Sequence, residues 1–123
     1  MASVGLAKKE NEVDDLYIVW TNSDEIVFDK MVAMYARTAR IENYWNEITI
    51  IIWGSTPKLT AESEIVGQRI KELLQVGVKV SACKSCCDSF GVTEKIIDMG
   101  VEVKYWVEDF TRLIKEDRKI LTI

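Results

Sequence analysis

The strongest constraint on the fold is a regular alternation of short apolar runs and segments with helical character. Five runs rich in β-branched or aromatic residues occupy 16–20, 47–53, 78–83, 101–106 and 119–123. Segments predicted to be helical separate them, at 22–42, from about 60 to 76, at 85–90, 93–99 and 109–115. Parallel strands need such crossovers, and near-continuous apolar strands are typical of sheets that are covered on both faces. The pattern therefore predicts a three-layer α/β/α domain with a five-stranded parallel sheet.

The length allows one domain of this kind. A chain of 123 residues is long enough for a single hydrophobic core and too short for two. We expect residues 15–123 to form this α/β domain, with the architecture of Rossmann-like and flavodoxin-like proteins. Residues 1–14 are polar without a sustained period, so they are predicted to be a flexible N-terminal arm.

Local signals predict where the helices begin and which faces they bury. Asn22 and Glu25 fit a capping box for the first helix, and Gly54 to Pro57 carries turn chemistry, which predicts a loop before a helix that starts near Thr60. Helical spacing then predicts two apolar stripes. The first comprises Ile26, Met31, Met34, Tyr35, Thr38 and Ile41, and the second comprises Ile65, Ile70, Leu73 and Leu74.

Charge and hydropathy argue against nucleic-acid and membrane partners. Sixteen basic and twenty acidic residues give a net charge of -4, the wrong sign for affinity that depends on phosphate contacts. The longest apolar runs fall well short of the ~20 residues that span a bilayer, and the first residues lack a signal-peptide core. We therefore expect a cytoplasmic protein without direct nucleic-acid or membrane binding.

The absence of histidine removes many kinds of active site. With no histidine in the sequence, nucleophiles activated by histidine and zinc sites with histidine ligands are excluded. No glycine-rich phosphate-binding loop occurs either, which makes a nucleotide or flavin site a weak alternative. We expect no cofactor.

All three cysteines lie within five positions, at 83, 86 and 87. Cys83 ends the third predicted strand, and reactive groups of open parallel sheets collect at the carboxyl ends of strands. A helix that follows would direct its first amides at this thiol and favour the thiolate; Lys84 would add to that effect and Asp88 would oppose it. Three thiols are too few for a structural zinc site, which takes about four ligands. Cys83 and Cys86 are therefore the candidate catalytic residues.

Three tryptophans share that predicted edge. Trp20, Trp53 and Trp106 each end a predicted strand. They could form the wall of a pocket around the thiol, but the commoner role of tryptophan at such places is to cap a core or to fill a subunit interface. We favour the second role.

The segment around the cysteines resembles the DsrE/DsrF-like family of sulfur-relay proteins. The resemblance rests on Val80-Ser81-Ala82-Cys83, seven further residues, Gly91-Val92, a helix and Gly100-Val101-Glu102-Val103. It implies a small α/β subunit that forms homotrimers or homohexamers and carries sulfur as a cysteine persulfide between donor and acceptor proteins. The relay cysteine of the family matches Cys83. Cys86 matches a Cys-x-x-Cys variant within the family, and Cys87 departs from the pattern.

Two other functions stay open from the sequence. Cys83 and Cys86 have the spacing of a redox dithiol, which predicts a reversible disulfide in a thiol-disulfide or peroxide-reducing protein. Alternatively, the chain is a non-catalytic assembly subunit whose contact surface includes the tryptophan edge, Met31 and Met34. In that case all three thiols should be inert.

Overall fold

The computed structural model describes residues 14–123 and contains a five-stranded sheet in which all strands are parallel. The predicted fold is confirmed. The strands are β1 (Asp15–Trp20), β2 (Glu47–Ile52), β3 (Lys79–Cys83), β4 (Glu102–Lys104) and β5 (Lys119–Thr122). Residues 1–13 of the predicted arm lie outside the described residues, whereas Asp14 is joined to the domain by a hydrogen bond from the Asn46 amide to its carbonyl, at 2.7 Å.

Helical segments connect the strands. Before β2 the chain forms α1 (Glu25–Val27), a π-helix (Phe28–Ala33) and α2 (Met34–Ile41). The later helices are α3 (Thr56–Glu62), α4 (Glu64–Gln75), α5 (Lys84–Phe90), α6 (Thr93–Asp98) and α7 (Val107–Lys115). None of the helices within residues 14–123 is long and apolar enough to cross a membrane.

The strand order β4-β3-β2-β1-β5 aligns the carboxyl ends of the strands at one edge. Trp20 pairs with Ile52, Ile52 pairs with Ala82, and Cys83 pairs with Lys104. The segments that follow β1, β2 and β3 therefore emerge side by side. This alignment brings the β2–α3 loop next to the start of α5.

The two faces of the sheet are covered unequally. One face packs against the π-helix and helices α2 to α6 in a large core that contains Ile18, Ile50 and Ala82. Residues from the alternate strand positions, such as Val19 and Ile51, form a smaller core with Leu113 of α7. Helices thus cover both faces, as predicted, but α7 is the helix that contributes to the smaller core.

The predicted capping box of the first helix is wrong. The N-cap is Asp24, whose Oδ1 accepts hydrogen bonds from the amides of Ile26 and Val27 at 2.8 and 3.1 Å. Asn22 instead accepts from the Asp24 amide, at 2.9 Å, and Glu25 accepts from the Ser63 hydroxyl of the α4 N-cap, at 2.6 Å. A carboxylate two positions after Asn22 is as good a cap as the amide, and spacing alone could not choose between them.

The predicted apolar stripe of the first helical segment is also wrong. Five of its six members are exposed: Thr38 and, with exposed fractions of 43–70%, Ile26, Met31, Met34 and Ile41. The buried side is instead formed by Phe28, Val32, Ala33, Ala36 and Ala39. Alanine has little hydrophobic weight in a periodicity, but its small side chain lets a helix pack closely on a sheet.

The stripe of α4 was predicted more successfully. Ile70 and Leu73 are buried, and Ile65 and Leu74 pack partly buried against the large core. The predicted loop at 54–57 is too long, because α3 begins at Thr56 with Pro57 in its first turn. Proline is common both in loops and in the first turn of a helix, so Pro57 was compatible with a loop and with the start of α3.

Candidate functional site

Cys83 lies where β3 becomes α5, at the carboxyl edge of the sheet. It is the last residue of β3 and the N-cap residue of α5, and it is only 3% exposed. Within the described chain, its side chain makes no capping hydrogen bond to the helix. The predicted position is therefore correct, but the thiol is not held by the first amides of α5 in the way that the sequence suggested.

Cys83 and Cys86 lie together. Cys86 lies three positions after Cys83, in the first turn of α5, so the two side chains are neighbours, and hydrogen bonding with Cys83 and with the amide of Gly54, in the β2–α3 loop, affects the ionisation of Cys86. Burial raises the pKa of Cys86, as does the bond with Cys83, while the Gly54 amide lowers it because it favours the thiolate. Cys86 is partly exposed, so it is the outer thiol of the pair.

Gly54 lies at an exposed turn of the β2–α3 loop. Its φ of 77° lies in the left-handed region, which glycine adopts without strain. A Cβ built at this position would meet no atom of the described residues within 4 Å. The proximity of Gly54 to Cys86 could not be predicted from the sequence, because the two residues come together only through the pairing of β2 with β3.

Cys87 is a core residue. It is fully buried and belongs to the large core. Burial, with smaller effects from the charges of Cys83 and Cys86, raises its pKa to about 11. The third thiol is therefore kept neutral near pH 7 and packs like a small apolar side chain.

Lys84 is already paired with an acidic residue. Its Nζ forms a salt bridge with Asp88 at 2.6 Å and lies 5.4 Å from the centre of the Tyr105 ring. The hydrogen bond with Asp88 raises the pKa of Lys84, and the same bond lowers the pKa of Asp88. The two charges that were expected to act on the thiol in opposite directions thus neutralise each other.

The tryptophans belong to the cores rather than to one pocket. Trp20, fully buried, stacks on Phe28 with ring centres 4.2 Å apart, in the large core. Trp106 is buried in the smaller core on the other face. Trp53, just beyond β2, packs edge-on against Phe110 at 5.2 Å. Because the rings lie on both faces of the sheet, they do not form a common wall around the thiols.

Three hydroxyl groups that the sequence analysis did not identify form hydrogen bonds at the carboxyl edge of the sheet. The Thr56 hydroxyl lies 2.9 Å from the carbonyl oxygens of both Trp20 and Trp53, and Thr56 is fully buried. The hydroxyls of Ser23 and Ser55 are also hydrogen-bonded to each other. These bonds fix the loop that carries Gly54 relative to the end of β1.

Two exposed apolar side chains lie on the β4 side of the thiols, away from the β2–α3 loop. Tyr105 and Val107 follow β4 and are 64% and 69% exposed. Tyr105 directly follows Lys104, the partner of Cys83 in the sheet. Within residues 14–123, no group of three or more cysteine, aspartate or glutamate side chains is arranged to hold a metal ion.

A parallel α/β domain with two contacting free thiols at the carboxyl edge of its sheet defines a class of small proteins suited to cysteine chemistry. The sequence matches the model of the DsrE/DsrF-like family over residues 29–123. The chain belongs to this family, as its cysteine segment predicted.

Two solved structures are similar to this chain. A conserved protein of unknown function from Bacteroides thetaiotaomicron is 38% identical, with a TM-score of 0.87 over 89% of this chain and 95% of that one. The YchN protein of E. coli has the same fold at 19% identity, with a TM-score of 0.64 over 89% of this chain and 99% of that one. No curated protein matches the sequence significantly.

Proposed function

We propose that this protein is a sulfur carrier that holds sulfane sulfur as a persulfide on Cys83. The observation that supports it most is the position of Cys83 at the carboxyl edge of the sheet, in hydrogen-bond contact with the second free thiol of Cys86. Membership of the DsrE/DsrF-like family, whose proteins generally act in sulfur relay, supports the same function.

The chemistry needs thiols and access, and no general base. A cysteine thiolate attacks the outer sulfur of a donor persulfide, a new S–S bond forms, and the donor leaves as a thiolate. An acceptor thiolate later removes that outer sulfur in the same way. A persulfide is a reversible modification, so the chain returns to its free thiol after each cycle without histidine, metal or cofactor.

The partners of such a carrier are proteins that donate and accept sulfur. We propose that they dock beside the thiols, where Tyr105 and Val107 are exposed. The acidic net charge of -4 fits protein partners better than direct nucleic-acid contact. We further propose a homotrimer or homohexamer, in the cytoplasm, where thiols are kept reduced.

A redox function is the second candidate, and the contact between Cys83 and Cys86 supports it too. Two thiols that are hydrogen-bonded need little movement to form a disulfide. A redox protein would lose two hydrogens when it is oxidised and would need both thiols for activity. A carrier gains one sulfur atom instead.

Intact mass after brief exposure to glutathione persulfide separates these functions. We expect the wild-type protein to gain one sulfur atom that dithiothreitol removes, and Cys83→Ser/Cys86→Ser, which retains only the buried Cys87, to gain none. Ser85→Ala, which changes an exposed side chain of α5, is the matched control and should behave as the wild type. Loss of two hydrogens without sulfur gain would favour the redox function, and no change in any variant would favour an assembly subunit.

A further inference from the structure

We infer that Cys86, and not Cys83, is the thiol that first attacks the donor persulfide, and that Cys83 receives the sulfur from Cys86. This inference rests on the proposed sulfur-carrier function and assigns the order in which its two thiols act. It differs from the role implied by the cysteine segment, which places the whole reaction on Cys83. Three features of the edge support it: unequal burial, the exposed loop at Gly54 and the contact between the thiols.

Burial separates the two thiols. Cys83 is 3% exposed, so a persulfide held on a partner protein cannot approach its sulfur unless the edge opens. Cys86, in the first turn of α5, is partly exposed. Attack on a persulfide requires the nucleophilic sulfur to reach the outer sulfur along the line of the bond that breaks, and of the two, Cys86 is the more accessible.

The Gly54 loop lies next to Cys86 at an exposed part of the edge. Gly54 is exposed, and a Cβ built on it would meet no atom of the described residues within 4 Å. Its amide favours the Cys86 thiolate, as fixed donors generally stabilise anions, whereas burial and the interaction with Cys83 are larger effects and raise the pKa of Cys86. The accessibility of Cys86, rather than its pKa, therefore supports its role as the first nucleophile.

The contact between the thiols provides the second step. In the first step the Cys86 thiolate attacks the outer sulfur of the donor persulfide, and the donor leaves as a thiolate. In the second step the Cys83 thiolate attacks the outer sulfur now on Cys86, a Cys83 persulfide forms, and the Cys86 thiolate is released. Both steps exchange one S–S bond for another and conserve the number of electrons, so neither needs an oxidant or a reductant. The sulfur is stored on the buried thiol, away from other thiols in solution, and returns to Cys86 by the reverse exchange before an acceptor thiolate removes it.

Trypsin can report which thiol carries the sulfur. Cleavage after Lys84 places Cys83 in the peptide 80–84 and the other two cysteines in the peptide 85–95. Brief exposure of the folded protein to glutathione persulfide, followed by alkylation, digestion and mass spectrometry, therefore distinguishes Cys83 from Cys86. Fragment ions, or the variant Cys87→Ala, separate Cys86 from its neighbour.

The initial rate of sulfur uptake tests the order of the thiols. We expect Cys86→Ser to take up sulfur at least about tenfold more slowly than the wild type, because the accessible nucleophile is gone. Cys83→Ser should still take up sulfur, and should hold it on Cys86. Ser85→Ala should match the wild type in both rate and position, and circular dichroism should confirm that each variant is folded.

Two results would overturn the inference while leaving the carrier function intact. One is a Cys86→Ser variant that takes up sulfur on Cys83 at the wild-type rate. The other is a native protein in which limiting iodoacetamide alkylates Cys83 before Cys86, a measurement that does not depend on sulfur transfer. Failure of the wild-type protein to take up any sulfur would instead reject the carrier function, and the inference with it.

Discussion

Single residues explain why three neighbouring thiols behave differently. Cys83 ends a strand, Cys86 lies in the first turn of the next helix, and Cys87 turns into the core. The sequence was sufficient to place Cys83 at the sheet edge, because strand ends follow from apolar runs. The sequence could not show how deeply each thiol is buried, because this depends on contact with the β2–α3 loop. That loop lies about thirty residues earlier in the sequence, a separation close to the length of a βαβ unit.

The pH dependence of Cys86 alkylation should report its environment. Burial and the bond with Cys83 raise the pKa of Cys86 above the ordinary value of 9.0, so less thiolate is present at neutral pH. In Cys83→Ser/Cys87→Ala, the rate of iodoacetamide alkylation of Cys86 should still be rising at pH 9. A rate that levels off below pH 8 would contradict this prediction.

The ionisation of Cys87 should weaken the fold at high pH. Its pKa is about 11 in the folded protein, against an ordinary value of 9.0. The unfolded chain therefore loses this proton first, and the stability that comes from the neutral thiol is present below pH 9 and lost as pH rises to about 11. The free energy of unfolding should fall by about 2 kcal/mol more over that range for the wild type than for Cys87→Ala.

Urea unfolding at several pH values measures this difference. Cys87→Ala will be less stable than the wild type at pH 7, because it leaves space in the core. The two free energies of unfolding should approach each other as the pH rises from 9 to 11. Parallel curves over that range would show that Cys87 does not ionise with the raised pKa.

At the scale of elements, the strands were predictable and the helix faces only partly so. The run at 48–52 is apolar except for Thr49 because β2 is buried on both faces, and that pattern has few other interpretations. The first helical segment was assigned the wrong face because alanine marks its buried side, while Met31 and Met34 point outward. A prediction from hydrophobicity gives most weight to large side chains, whereas packing against the sheet here selected small ones.

Thr56 should be more important for stability than its size suggests. Its buried hydroxyl is bonded to the ends of two strand segments, at Trp20 and Trp53. We expect Thr56→Val to lower the free energy of unfolding by about 1–3 kcal/mol, because buried carbonyl groups lose a partner. Equilibrium unfolding in urea measures this loss.

Thr60 offers a matched control for Thr56. It is also buried, but its hydroxyl bonds to the Thr56 carbonyl one turn earlier in the same helix, at 2.8 Å. Thr60→Val should therefore cost less, since a helical carbonyl retains its backbone bond. Equal losses in the free energy of unfolding for both substitutions would show that the hydrogen bonds of Thr56 to the strand ends contribute little to stability.

At the scale of the whole molecule, the exposed apolar side chains point to assembly. Ile26, Met34 and Ile41 are 54–70% exposed on the first helical segment, and contiguous exposed apolar groups mark interaction surfaces. Light scattering with size-exclusion chromatography should give three or six times the subunit mass of 14.1 kDa. Met34→Glu should shift the distribution toward smaller species, because it places a charge in the contact.

Thr111→Glu is the control for that substitution, since it also introduces a carboxylate at an exposed position, on α7, which packs on the other face of the sheet. It should leave the measured mass unchanged. A monomer at all concentrations of the wild-type protein would reject assembly, and a similar effect of both substitutions would reject this surface.

The strand order also has a consequence for the folding pathway. Strands β1 to β3 each pair with the next strand along the chain, whereas β5 must return across the molecule to pair with β1, where Leu16 meets Lys119. Closing so long a loop costs more entropy than forming the nearer pairs. The β5 strand is therefore expected to join the sheet last and to detach first. Its amides should exchange with deuterium through openings of lower free energy than those that expose the amides of β2.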